Sequence, residues 1–547
     1  MRSGLTTAIV GLGLVLSGLG PVSAQQSQSI PEETSNTTVD HSKLEVLQKQ
    51  FASGPEVTEA CLSCHTEAAD QVKQSIHWSW DYTHPDTGQD LGKNNVINSY
   101  CVGVAGNEPR CTSCHVGYGW KDMNTPPPEE TSAVDCLVCH DKSDTYFKIP
   151  AGAGQPFGAE VKEGAVTNTG KPAKPVDLKL VAQSVGLPDR DNCGNCHFYG
   201  GGGDNVKHGD LSSVLHHPTE AIDVHMAEDG LNFDCQECHV SDRHIWHGSR
   251  YNVTAKDTEG AGLPGQRRDV ATCESCHGTE PHDAFSLIGF KLNSHRDKIA
   301  CQTCHIPEYA KGGVPTKTLW DWSTAGKMGD DGKPMKVAKY ESGAGKKKPT
   351  YVTMKGDFEW GEDLQPEYFW FDGQVEYANA DHEIDPSGIV EVNTISGSQD
   401  DEKSRIWPFK VMRGKQPYDT ERNRLLYPHL FGPGSETAYW GKWDWDKSFE
   451  AGAKASGTEY SGSYDFVSTE MYWPVTHMVA PAEDHVACEE CHRQDGRLAN
   501  IAGIHIPGAN PMGPGGKLGA LILALTLLGI VGHAIMRFVG RKNMKEH

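Results

Sequence analysis

Positive charge and apolar bulk are both scarce in this chain. Lys and Arg number 50 against 73 Asp and Glu, a formal net charge of −23 over 547 residues, which argues against a nucleic-acid partner. A small anionic substrate would need a locally positive route, which net charge neither shows nor excludes. Hydrophobic residues make up only 37%, thin material for a core built from side chains alone. No repeat of roughly 20–50 residues recurs, which excludes a solenoid. Unassigned thiols are missing too, since all 17 cysteines except Cys101 fall into one motif. A disulfide framework belongs to small chains that cannot build a core, and this chain is not small. Zinc sites would pair Cys-x-x-Cys units two by two and would not need a His after each.

What the chain has is Cys-x-x-Cys-His, eight times over. In order these are Cys61/Cys64/His65, Cys111/Cys114/His115, Cys136/Cys139/His140 and Cys193/Cys196/His197. Then follow Cys235/Cys238/His239, Cys273/Cys276/His277, Cys301/Cys304/His305 and Cys488/Cys491/His492. Each is the attachment signature of a c-type haem: the thiols add across the vinyl groups and the His becomes the proximal iron ligand. The sequence therefore predicts eight covalently bound haems c. Porphyrins supply the apolar bulk that side chains lack, and 60 glycines, above the usual ~7%, let backbone approach them closely.

Both ends carry apolar segments. Arg2, the apolar stretch that follows it and Val22-Ser23-Ala24 read as an export signal over 1–24. A polar lead-in covers 25–44, and the haem domain 45–510. Residues 517–539 read as a transmembrane anchor, followed by Arg541, Lys542 and Lys545, an excess of basic residues that puts the C-terminus in the cytoplasm. The expected location is the periplasmic side of the bacterial inner membrane, held by a single-pass anchor. An inner-membrane, quinone-linked redox partner fits that placement. His533 lies inside the span, where it is either a ligand to a partner's haem or a neutral residue near the interface.

The expected fold class is mainly α with long irregular loops and few strands, a multihaem cytochrome c fold plus the C-terminal helix. Within it, 306–487 is a haem-free segment rich in Trp, Tyr and Gly, expected to pack on the haem domain. A long helix is expected across 439–492, interrupted by Gly and Pro474.

Every iron needs a sixth ligand, and 18 of the 26 histidines lie outside the motifs, enough to saturate all eight. His77 is flanked by aromatics; His208, His216, His217 and His225 cluster after the fourth motif. His244, His247, His282 and His295 come next, and His477, His485 and His505 bracket the last motif. The preferred distal ligands are His77, His208, His225, His247, His282, His295 and His485, while His41 and His84 read as surface residues. Arg405, Lys410, Arg413 and Lys415 form a basic run among aromatics that suits an oxyanion clamp, with Arg405 and Lys410 as its candidate catalytic members. Lys346, Lys347 and Lys348 read as solvated surface. Cys101 is either a thiol able to engage a sulfur–sulfur bond or a small buried apolar residue.

The uniform motifs, the segments Asn107-Glu108-Pro109-Arg110-Cys111 and Asp135-Cys136-Leu137-Val138-Cys139-His140-Asp141, and Ile406-Trp407-Pro408-Phe409-Lys410 resemble the octahaem tetrathionate reductase family. The resemblance covers roughly 45–510 and not the anchor. It implies one catalytic haem, at Cys111/Cys114/His115, with Lys as distal ligand. Lys148 in Thr145-Tyr146-Phe147-Lys148 matches best, with Lys142 in reserve.

The resemblance implies a periplasmic reductase of tetrathionate or of a small nitrogen oxyanion or hydroxylamine. The alternative is a membrane-tethered electron-transfer cytochrome with no catalytic site. Hydroxylamine oxidation is disfavoured, because the oxidising family needs a Tyr after its last motif and residues 493–547 contain none. The nitrite reductases whose catalytic motif ends in Lys also differ, since every motif here ends in His.

Overall fold

The computed structural model describes residues 38–543 apart from 98–102, 109, 123, 159–163, 168–171, 259–269 and 508–511. The expected 1–24 signal, most of the lead-in and Cys101 lie outside the described residues.

The haem motifs sit on short helices joined by loops, and local capping explains where several of them start. Arg190–His197 begins at Asp189, which accepts the Asp191 and Asn192 amides while the Asn192 side chain reaches back to the cap. Cys273–His277 begins at Thr272 in the same way, with Ser275 returning the bond. Both caps fix the helix just ahead of the motif and leave the motif His in its last turn. The second motif instead lies on a 3-10 turn, Cys111–Cys114, with His115 already in extended backbone.

The haem-free segment departs from the mainly α expectation. It holds a sheet of nine strands centred on Arg405–Asp419. That strand pairs antiparallel with Tyr464–Pro474 from Phe409↔Pro474 to Asp419↔Tyr464, antiparallel with Glu367–Phe371, and parallel with Thr316–Asp321. The expected long helix reduces to Tyr439–Lys442 and Trp445–Ala455, and the stretch from Tyr464 is strand. The physical reason is burial. With no porphyrin to cover it, this segment must hide its own aromatics, and Trp320, Trp322, Phe371, Trp407, Phe409 and Trp473 form one core. Arg405–Asp419 is buried on both faces along most of its length, so it lacks the alternation that marks a half-buried strand. Pro408 and Pro417 within it also read against a central strand.

The sheet is fastened to the haem region at its central strand. Ile406 accepts hydrogen bonds from the Ala300 amide (3.0 Å) and the Thr303 hydroxyl (2.8 Å), at the start of the seventh motif. Pro514–Asn543 forms one helix of 30 residues, apolar and unburied, long enough to cross a membrane. His533 lies exposed on it.

Candidate functional site

Seven of the eight motif histidines face a second histidine at nearly constant spacing. The ring centroids are 6.5 Å apart for His65 and His41, 6.3 Å for His140 and His244, and 6.2 Å for His197 and His77. They are 6.3 Å apart for His239 and His477, 6.0 Å for His277 and His225, and 6.1 Å for His492 and His295. His305 has two such neighbours, His282 at 6.3 Å and His485 at 6.5 Å, the first nearer to parallel. A metal–imidazole bond of about 2 Å at each ring sets the centroids roughly 6 Å apart, so these pairs fit an iron held between two histidines. In several rings the other nitrogen is engaged, by a backbone carbonyl for His140 Nδ1 (Gly186 O) and His492 Nδ1 (Pro507 O), both 2.8 Å, and by a side-chain oxygen for His244 (Gln71), His282 (Asn293) and His477 (Asp210). That leaves Nε2 for metal and fixes the tautomer.

Cys64 and Cys276, the second thiols of the first and sixth motifs, are exposed, and so are Cys238 and Cys488. Their partners Cys61 and Cys273 are half-buried. The assignment of these cysteines to haem rests on the motif.

Several expectations about the histidines are corrected as well. His41 is opposite His65 rather than on the surface, and His244 and His477 stand where His208 and His247 were preferred. His208 packs on Trp473 at 4.8 Å, and His247 has no ring partner among the described residues. His84 is not a surface residue either: it is 1% exposed, with Nδ1 accepting the Asp86 and Thr87 amides. His41 carries no local signal in sequence, being far from its partner and unflanked by aromatics.

The second motif is the exception. His115 is wholly buried and walled by Trp78, Trp120 and Trp80 at 4.8, 4.8 and 5.5 Å. Its Nε2, the atom the other rings keep for iron, lies 2.8 Å from the Trp78 carbonyl, and its Nδ1 has no partner. Burial pushes its pKa down to about 3. Gly117 makes this packing possible, because a Cβ there would meet Trp78 at 2.6 Å and His115 at 3.0 Å.

Against the same motif lies Lys148. Its Nζ donates to the His115 carbonyl at 2.5 Å and pairs with Asp135 Oδ2 at 2.9 Å, its side chain 11% exposed. Asp135, buried, also accepts from Tyr118 OH at 2.8 Å and Tyr146 OH at 2.9 Å. Burial, and then the Asp135 charge, hold both phenols well above their ordinary range. Ser113 straps the Lys148 segment down by accepting the Ala151 amide at 3.0 Å. Lys142 is engaged elsewhere, by Asp189 and by Asn192 at 2.9 Å.

The basic run on the central strand does not form a clamp. Arg405 is buried against Glu274 of the sixth motif, and Lys410 is fully buried, donating to Val206 O, Lys207 O and Thr316 Oγ1. Arg413 pairs with Glu367 and Glu470 on neighbouring strands, and Lys415 is exposed. Alternation turns Lys410 to the face opposite Arg405, Arg413 and Lys415, and those three are spread along the strand among different neighbours. Lys346 and Lys347 are exposed.

Contacts between motifs give their order in space. Side chains of Cys61 and Cys136 meet, as do Cys114 with Cys196, Cys193 with Cys235, and Cys273 with Cys301. Asn192 bonds Asp141 O, the Ala271 amide bonds Cys238 O, and the Val486 amide bonds Cys304 O. The sequence of neighbours is first, third, fourth, fifth, sixth, seventh, eighth, with the second branching from the fourth.

Known proteins share this arrangement of motifs and sheet. A family model described as bacterial cytochrome c matches 317–495, and one described as cytochrome c554 and c-prime matches 60–141 and 234–306. A crystal structure of octaheme cytochrome c from Shewanella oneidensis superposes with a TM-score of 0.72 at 39% identity, covering 87% of this chain and 99% of that one. The chain belongs to the octahaem cytochromes c of the tetrathionate reductase type. An uncharacterized protein of Archaeoglobus fulgidus is 24% identical over 262 residues, 41% of this chain and 85% of that protein. This cytochrome therefore binds haem c covalently, and its sheet is part of the matched family, since the 317–495 match spans most of it.

Proposed function

We propose that this cytochrome carries eight haems c and acts as a terminal reductase. Electrons pass along the relay to the second haem, where Lys148 takes the place of His115 and tetrathionate, nitrite or hydroxylamine is reduced. One observation carries the reading. Among the described motif histidines, His115 alone faces no histidine and turns Nε2 to a backbone carbonyl, while the Lys148 amine lies 2.5 Å from its own carbonyl. Lys148 thus stands beside the backbone of His115, where it would hold the second haem's iron in place of the His115 ring.

When bound, the haem supplies an iron that takes electrons from its neighbour and delivers them to an oxidised sulfur or nitrogen. The chain's own part is to hold and exclude. Asp135 orients the Lys148 amine, and the three tryptophans keep His115 from competing for the metal. Tetrathionate takes two electrons, its central S–S bond breaks, and two thiosulfates leave. Hydroxylamine also needs protons, and the phenols of Tyr118 and Tyr146 hold theirs at Asp135 beside Lys148.

The helix Pro514–Asn543 anchors the cytochrome at the inner membrane with its haems on the periplasmic side. The bond from His492 to Pro507 O, a few residues in sequence before that helix, supports the eighth haem as the entry point for electrons from a quinone-linked partner. The test is turnover of the purified full-length protein with reduced viologen and each of the three substrates. Lys148→Ala is expected to lower kcat about a hundredfold. A wild type that reduces none of them would leave a membrane-tethered wire.

A further inference from the structure

A second feature converges on the second motif, and it is electrostatic. Lys93 and Lys148 lie at the second motif and Lys207 lies against Gly200, just after the fourth, in a chain whose net charge is −23. Of the three, Lys148 has Asp135. Lys93 lies 4.1 Å over the ring of Trp80, a wall of the His115 cage. Lys207 lies 4.9 Å over Trp473, and on the same indole stand Arg250 at 4.7 Å and His208 at 4.8 Å.

Arg250 is the most exacting member. Its guanidinium sits among the rings of Tyr251, Trp473 and Tyr377 at 4.7, 4.7 and 5.7 Å, and Nη2 donates to Tyr251 OH at 2.8 Å. Its Nη1 is buried with no hydrogen-bond partner, and so is Trp473 Nε1. No carboxylate pairs with Arg250 among the described residues. Buried cations are normally paired, because desolvation without a counter-charge is costly. Burial, then the positive charges of Arg250 and Lys93, hold Lys207 well below its usual pKa. The arrangement is also built rather than incidental. Lys410 Nζ bonds the carbonyls of Val206 and Lys207 at 2.9 and 3.0 Å, and a Cβ at Gly209 would strike Lys410 at 2.9 Å. Lys410 is therefore a positioning residue for the segment that bears Lys207 and His208.

We propose that Arg250 and Lys207, set around Trp473, form an oxyanion-recognition site that delivers small inorganic anions to the second haem. The proposal rests on the reductase reading above and gives it a substrate preference by charge. Arg250 offers two donors in a rigid fork, and the aromatic box keeps the guanidinium aimed without neutralising it. Trp473 Nε1 adds a third, neutral donor.

The test compares full-length wild type with Arg250→Gln, Arg250→Lys and Lys207→Gln. KM is measured for tetrathionate and nitrite, which are anions, and for hydroxylamine, which is uncharged above neutral pH. Sulfate, which is not reduced, is titrated against the resting electron paramagnetic resonance spectrum. Losing a charge-assisted bond should raise KM for the anions about ten- to hundredfold more than for hydroxylamine in Arg250→Gln. Arg250→Lys should recover part of this, and the sulfate response should be lost in Arg250→Gln. Equal changes for charged and neutral substrates, with shifted haem potentials, would assign Arg250 to haem carboxylates and overturn the proposal. If Arg250→Gln fails to assemble, Lys207→Gln decides: a smaller shift in the same direction supports the site, and none refutes it. If wild type reduces nothing while sulfate still perturbs the spectrum through Arg250, the anion site stands and the reductase reading falls. Silence in both assays removes both.

Discussion

Lys142 and Lys148 follow the same motif, and their acceptors separate their roles. Lys142 is tied to Asp189 and Asn192, whereas Lys148 reaches the His115 carbonyl and Asp135. Sequence reasoning could name both lysines but not choose by contact, because Asp189 and Asp135 lie on opposite chain sides of the pair. His115 was unreadable in a stronger sense. Its motif is identical to the other seven, and only the folded positions of Trp78, Trp80 and Trp120 turn its ring away. Gly117→Ala tests that cage. The added methyl meets Trp78 at 2.6 Å and Ala133 O at 2.9 Å, so a stability loss of about 1–3 kcal/mol is expected in thermal unfolding. Lys410 gives a pH prediction. Burial lowers its pKa from 10.5 to about 7, so the folded chain binds fewer protons there than the unfolded chain between those values. Stability should therefore rise with pH across that window, and Lys410→Met should flatten the rise. Parallel midpoint profiles for variant and wild type would contradict it.

The elements that sequence located well are those with punctuation of their own. The apolar run after Pro514 announces its helix, whereas the caps at Asp189 and Thr272, which set where the fourth and sixth motif helices begin, became evident only in the fold. The sheet was missed because its central strand is buried on both faces and carries Pro408 and Pro417, so neither alternation nor propensity revealed it. That strand's first residue clamps sheet to haem region through the Arg405–Glu274 pair, both side chains nearly inaccessible at 3% and 5%. Arg405→Ala strands a buried carboxylate and should cost about 3–5 kcal/mol. Replacing both partners with Met should cost much less. A double variant as unstable as the single one would show that the pair is not what joins the two elements.

At the scale of the whole molecule, eight motifs, a sheet and one apolar helix are described, and the motifs form a branched line of neighbours with the second off the main line. The motif count was open to view in the sequence, whereas the branch at the fourth motif was not, since Cys114 and Cys196 are far apart in the chain. Anchoring belongs at this scale too. A chain ended after Pro507 should leave the membrane fraction and keep viologen-driven turnover while losing quinol-driven turnover. A truncated protein that still sediments with membranes would point to another attachment.

The most direct measurement is low-temperature electron paramagnetic resonance of the oxidised full-length protein and its Lys148→Ala variant. The account predicts seven haems with bis-histidine signatures and one without. The exceptional signal should vanish in the variant while the other seven persist. Eight bis-histidine signals, or an exceptional signal indifferent to Lys148, would contradict it.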